Sequence, residues 1–125
     1  MRSVIYGALF TVFLACAGTV QAANDLDGKS LLCRSIHLTY GLVFDQGKVT
    51  RYEVEGYSKT TAFTKPYYLD GTHKVFWGGV GLNRKTLQVG SMFQSEPDQC
   101  SISSKAGVFQ KLDEIIAAAK KKNKI

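Results

Sequence analysis

From Ile36 to Phe44 the chain alternates. Ile36, Leu38, Tyr40, Leu42 and Phe44 fall on one side; His37, Thr39 and Gly41 fall on the other. A period of two sustained over this length predicts a half-buried strand. Asp45-Gln46-Gly47-Lys48 follows as a hairpin turn. The next strand, 49–57, is read with Tyr52 and Val54 facing in and Arg51, Glu53 and Glu55 facing out; Gly56 allows a bend. An antiparallel sheet is therefore the framework into which the rest must fit.

Five more strands follow from the same signals. Residues 30–34 form a first strand carrying Cys33. Residues 60–69 are rich in Thr and aromatics, and Pro66 removes a ladder donor, so this strand is an edge or is broken there. Asp70-Gly71 is a two-residue hairpin signal leading into 73–82. Within that stretch Gly78, Gly79 and Gly81 mark either a second turn or a bulge, and the bulge is preferred because a very short strand would otherwise result. Trp77 is its largest core side chain. Leu82-Asn83-Arg84-Lys85-Thr86-Leu87 reads as strand, tight turn, strand, with the Asn83 side chain bonding the backbone two residues on. Residues 86–93 and 99–103 complete seven strands, the last carrying Cys100.

The period then lengthens. Val108, Phe109, Leu112, Ile115, Ile116 and Ala119 share one face of a helix over about 105–120, with Ser104 as N-cap and lysines at its end. The helix is expected to dock on the sheet. All connections are short, so the fold expected is mainly β: a seven-stranded antiparallel up-and-down meander, a small barrel or a strongly curled sheet, with one C-terminal amphipathic helix.

The N-terminus carries its own signal. Arg2 precedes an apolar run from Val4 to Val20, and Val20-Gln21-Ala22 supplies small residues at a cleavage site. Residues 1–22 read as a signal peptide and 23–125 as a single β domain with a basic tail at 120–125. The alternatives are an uncleaved anchor and a lipoprotein modified at Cys16. Periplasmic or secreted localisation follows. Removing the signal removes Cys16 and leaves Cys33 and Cys100, which allow one pairing. A disulfide there would join the first strand to the last.

The formal net charge of +6 suggests an anionic partner. Eight Lys and three Arg oppose ten acidic residues over 23–119, so the body is nearly neutral and the basicity belongs to Lys120, Lys121, Lys122 and Lys124. Such a body argues against nucleic acid; the tail offers weak contact with an anionic surface. Catalytic parts are few. His37 and His73 have no second ligand at metal spacing, and no HExxH, CxxC or G-x-S-x-G occurs. Glu53 and Glu55 read as a solvated face. No enzyme, metal or cofactor is therefore expected.

Surface is what remains. Arg84 and Lys85 form an exposed turn tip, and Arg84 suits a carboxylate through two hydrogen bonds. Tyr67 and Tyr68 point to opposite faces, as do Phe76 and Trp77, so part of this aromatic set is exposed. With Lys59, Lys65 and Lys74 around it, such a set makes a binding patch. Arg84, Lys85, Tyr67 and Tyr68 are the candidate partner-binding residues, for a protein or a small ligand.

Trp77, the Leu82–Leu87 turn LNRKTL and the flanking Cys33 and Cys100 give the chain a pattern. In it the chain resembles a group of small exported bacterial β-proteins; the resemblance implies an exported β domain and no activity. The placing of the two cysteines is similar in layout to the periplasmic lysozyme inhibitors, which implies an eight-stranded barrel. That family's Ser-Gly and Lys-Gly loop motifs have no counterpart here. The function expected is a non-enzymatic binding or interaction module; the alternative is a periplasmic inhibitor of a hydrolase such as lysozyme.

Overall fold

The computed structural model describes residues 26–91 and 94–123. The expected signal peptide at 1–22, Cys16, Phe93 and Lys124 lie outside the described residues. Among the described residues the chain forms β1 (Ser30–Arg34), β2 (Thr39–Asp45), β3 (Lys48–Glu55), β4 (Ser58–Pro66), β5 (Tyr68–Asp70), β6 (Lys74–Trp77), β7 (Val80–Asn83), β8 (Gln88–Ser91), β9 (Asp98–Ser103) and α1 (Lys105–Lys122). The strands make one antiparallel sheet in the order β4-β3-β2-β1-β9-β8-β7-β6-β5, a nearly closed barrel with a C-terminal helix. Every pair is sequential except β1–β9, which joins the two ends of the meander.

Nine segments replace the seven strands expected, for two local reasons. Gly78 and Gly79 both have positive φ (53° and 82°), a conformation glycine adopts at little cost, and they turn the chain between Trp77 and its partner Val80. The expected bulge is thus a hairpin. The other break follows Pro66: β4 pairs with β3, β5 pairs with β6, and Tyr67 alone lies between them. Nine alternating strands put the two edge strands, β4 and β5, in the same direction. They are two halves of one bent path, so the open seam of the barrel is crossed by the chain itself. The third strand also stops early. It ends at Glu55, and Gly56-Tyr57 is the turn into β4 rather than a bend within a strand.

The Gln46-Gly47 turn sets Phe44 opposite Val49, and inward residues follow at every second position. Tyr40, Leu42, Phe44, Val49, Val75, Trp77, Leu82 and Val89 fill the interior with Leu31 and the two cysteines. The Phe44 ring meets Tyr67 and Trp77 edge-on, at 5.2 and 5.9 Å. The same register turns Arg51 and Glu53 inward, opposite Leu42 and Tyr40. This reverses the facing expected for β3. Tyr52 lies outside, edge-on to Phe109 of α1 at 5.0 Å.

Cys33 and Cys100 are paired positions on β1 and β9, joined by a disulfide. The bond staples the strand pair that closes the meander, as expected, and it suggests an oxidising compartment. α1 covers the outer face of β1 to β4. Ser104 caps it by accepting from the Gly107 N–H at 2.9 Å. Val108 and Leu112 are fully buried, whereas Ile115 is half-buried. Gly41 lets the helix approach: a Cβ there would lie 2.1 Å from Val108 Cγ1. Lys59 pairs with Asp113 at 2.8 Å, and the Asn123 side chain donates to the Tyr57 hydroxyl.

Candidate functional site

One end of the barrel is an apolar mouth. Leu26, Leu31, Phe44, Leu82, Leu87 and Ile102 line a cleft of about 290 Å³, with Lys29 and Arg84 among its walls. The segment before β1 forms one side. Gly28 N–H donates to the Phe44 carbonyl at 2.8 Å, and Phe44 N–H donates to the Lys29 carbonyl at 2.9 Å. Lys29 is thereby held beside the end of β2, and Leu26 is buried beneath it. The Asp27 carboxylate accepts from the Gly47 N–H at 3.0 and 3.1 Å and from the Tyr67 hydroxyl at 2.7 Å. This carboxylate fixes the entry segment, the β2–β3 turn and the seam to one another.

The Arg84 turn forms the opposite side. Asn83 Oδ1 accepts from the Lys85 and Thr86 N–H groups at 2.9 and 3.2 Å, the side-chain-to-backbone bond its sequence position predicts. Arg84 N–H donates to the His73 carbonyl at 2.7 Å; Cys100 N–H donates to the Leu87 carbonyl at 2.8 Å. The Gln99 side chain donates to the Thr86 carbonyl at 3.0 Å. The turn is gripped from both neighbouring segments, so it is a firm platform. Arg84 is half-buried against the cleft and Lys85 is exposed at the tip.

A polar cluster lies on the interior face away from this mouth. The Tyr40 hydroxyl donates to Asp98 Oδ2 at 2.5 Å, and the Gln94 side-chain amide donates to Asp98 Oδ1 at 2.8 Å. The Arg51 guanidinium lies 3.8 Å from the Tyr40 ring centroid, and its Nε donates to Glu53 at 3.0 Å. Burial pushes the Tyr40 phenol far above its ordinary range. The hydrogen bond and negative charge of Asp98 add to that, and Arg51 opposes it. Tyr40 is therefore a fixed hydrogen-bond donor, not an acid or base for chemistry near neutral pH.

The remaining candidates are scattered. Tyr67 is buried, its ring in the core and its hydroxyl on Asp27. Tyr68 is 60% exposed and stacks on Phe76. The three lysines expected to rim one aromatic patch sit at different rings: Lys59 over Phe109, Lys65 over Phe63, Lys74 near Phe76. His37 is exposed, and His73 Nδ1 lies 3.3 Å from the Thr72 hydroxyl. Among the described residues no three His, Cys, Asp or Glu side chains gather as a metal site, and no helix is long and apolar enough to cross a membrane. Lys120, Lys121 and Lys122 are exposed in the last turn of α1.

Of the mouth, sequence reasoning singled out only Arg84 and the adjacent Lys85. Lys29 and Ile102 come from separate segments that the barrel closure brings to the Arg84 turn, and neither carries a motif; Leu87 ends the LNRKTL turn, but nothing in that motif marks it as a cleft wall. Comparison of the chain with protein-family models, with curated proteins and with solved structures finds no match.

Proposed function

We propose that this is an exported, non-enzymatic binding module that meets its partner through the barrel mouth bearing Arg84. The observation that carries the reading is the Arg84 turn, held by hydrogen bonds to His73, Gln99 and Cys100 beside an apolar cleft. A cation on a firm platform next to apolar surface suits recognition, because little ordering remains to be done on binding. Lys85 extends the contact at the tip, and Tyr68 with Phe76 offers a second exposed apolar surface.

The test is a pulldown from periplasmic extract with wild type and Arg84→Ala, beside their melting temperatures. Loss of a captured partner with the melting temperature kept supports the reading. Loss of stability with the partner kept makes Arg84 a structural residue of its own turn.

A second reading, a hydrolase inhibitor, has one observation in its favour. Counting β4 and β5 as one bent path gives eight strand paths around the barrel, closed by a disulfide between first and last. Lysozyme turnover of bacterial cell walls, measured with the protein in large molar excess, decides it; undiminished turnover removes lysozyme as the target.

A further inference from the structure

We propose that the end of the barrel opposite the mouth docks on an anionic phospholipid bilayer. The turn bearing Ile36 and Leu38 enters the hydrocarbon, and the lysines at the end of α1 meet the headgroups. This surface is separate from the contact site proposed above.

The apolar part is a turn tip. Ile36 is 78% exposed and Leu38 39%, between β1 and β2. The turn is not loose. The Ser35 hydroxyl donates to the Leu38 carbonyl at 3.1 Å and accepts from the His37 and Leu38 N–H groups at 3.3 and 3.1 Å. Ser35 N–H donates to the same carbonyl at 2.9 Å. A turn fixed in this way presents Ile36 to water instead of folding it under. The β3–β4 turn lies beside it. Tyr40 on β2 faces Glu53 on β3, and Glu55 faces Ser58, so both turns leave the sheet at one end, roughly 10 Å apart at the usual strand spacing. Tyr57 in the second turn is 45% exposed, and tyrosine suits the boundary between hydrocarbon and headgroups.

α1 brings the charge to this end. The helix starts beside Ser103 at the mouth and runs back over the outer face. Phe109 meets Tyr52, Asp113 pairs with Lys59, and the Asn123 side chain donates to Tyr57. These contacts step toward the turns, so the exposed Lys120, Lys121 and Lys122 finish there. Arg34, exposed at the end of β1, is a fourth cation. Against them stand Glu55, in the β3–β4 turn, and Glu96, two residues before β9.

An apolar tip beside a basic cluster selects the partner. Anionic headgroups attract each Lys or Arg held at a bilayer surface, and the hydrocarbon beneath them takes the apolar tip. A nucleic acid would match the lysines and leave Ile36 in water. A neutral bilayer would take Ile36 and offer the lysines no countercharge.

The experiment is co-sedimentation of the exported, oxidised protein with two kinds of vesicle: phosphatidylcholine alone, and phosphatidylcholine mixed with an equal part of phosphatidylglycerol. Binding is expected on the anionic vesicles and should be about tenfold or more weaker on the neutral ones. It should weaken further as salt shortens the reach of the lysine charges. Changing Lys120, Lys121 and Lys122 together to Gln should lower binding to the anionic vesicles about a hundredfold, near fivefold for each charge. Ile36→Ser should lower it about tenfold or more with no change of charge. All four residues are exposed, so these variants keep the fold. Ile36→Trp places a fluorophore at the tip; its emission should shift to the blue on anionic vesicles and be quenched by brominated lipid, while the buried Trp77 gives a constant background. Equal binding to the two kinds of vesicle, or binding unchanged by the lysine substitutions, overturns the headgroup contact. Binding unchanged in Ile36→Ser, or emission of Ile36→Trp that does not move, overturns insertion of the tip. A wild-type protein that sediments with neither vesicle overturns the inference outright and leaves the reading of the mouth as it stands.

Discussion

The Tyr40 hydroxyl and the Asp98 carboxylate are 58 residues apart in sequence and 2.5 Å apart in space. They reach from β2 to β9 across β1, beside the disulfide, since Tyr40 is the paired position of Cys33. Burial and Asp98 together hold the phenol protonated. The unfolded chain has an ordinary tyrosine that ionises near pH 10. Folded Tyr40 keeps its proton above that pH and the unfolded form loses it, so stability falls as pH rises past about 10, by about 1.4 kcal/mol per pH unit. Below pH 10 the contribution is fully present. Tyr40→Phe should cost about 1–3 kcal/mol at neutral pH through the unpaired Asp98 oxygen. It should also flatten the alkaline slope. Urea melts of both proteins between pH 8 and pH 11 measure the difference; parallel slopes would remove Tyr40 as the cause.

Cys33 and Cys100 close a loop of sequence separation 67. Chain-entropy reasoning gives such a bond about 4 kcal/mol, through fewer conformations of the unfolded chain. Cys100→Ser should therefore lower the melting temperature by roughly 15 °C or more. Thiol titration of the unfolded, unreduced protein should find Cys33 and Cys100 unreactive. Two free thiols from these positions would contradict the bond.

Helix docking depends on an absent methyl group. Gly41 on β2 leaves the space that Val108 fills, and an alanine side chain would overlap it. Gly41→Ala should destabilise by about 1–3 kcal/mol, the usual range for overpacking. Val108→Ala makes a cavity of its own but frees that space, so the double variant should cost less than the sum of the two singles. Leu112→Ala, at a fully buried site, should cost about 2–4 kcal/mol. Lys121→Ala, exposed, should change stability little. Additive costs for Gly41 and Val108 in chemical denaturation would mean the helix seats elsewhere. Unchanged stability with lost vesicle binding in Leu112→Ala would make α1 a membrane element.

Local signals in the sequence are legible where one interaction decides the outcome. The alternation from Tyr40 to Phe44, the Asn83 turn, the Ser104 cap and the cysteine pairing are of this kind. Ile36 and Leu38 continue the alternation but not the strand. The Ser35 hydroxyl accepts from the His37 and Leu38 N–H groups and folds them into a turn, leaving Ile36 in solvent. Side-chain-to-backbone bonds of this sort compete with a strand ladder and leave no mark on hydrophobic periodicity. Arg51 and Glu53 show a different failure. Their charge argues for an outward position, but the two-residue Gln46-Gly47 turn fixes the register and sends them inward. There the ion pair and the Tyr40 ring offset the loss of water. Gly78-Gly79 suits a bulge or a hairpin equally; the pairing of Val75 with Leu82 and of Trp77 with Val80 makes it a hairpin, and the glycines alone do not specify that pairing. The mouth was the least legible part, because its walls are assembled from the entry segment, the end of β2, the Arg84 turn and β9.

The seam gives the last prediction. β4 and β5 share no ladder, and the chain crosses between them at Tyr67. Tyr67 N–H donates to the Gly47 carbonyl at 3.2 Å, and its hydroxyl donates to Asp27, which in turn accepts from the Gly47 N–H. These bonds form a small ring that ties the bend to the β2–β3 turn. Asp27→Ala removes the acceptor for both donors and should cost about 1–3 kcal/mol. Tyr67→Phe keeps the ring that packs edge-on to Phe44 and loses only the hydroxyl, so it should cost about 1 kcal/mol. The two losses share a bond and should not add. The sharper readout is local. Amide exchange at Gly47 and Tyr67 should accelerate in Asp27→Ala more than at Cys33 or Leu42, which lie on central strands away from the seam. If exchange rises equally at all four amides, the substitution lowers global stability and Asp27 has no particular hold on the seam. If it rises at Gly47 and Tyr67 alone, this is where the barrel opens first.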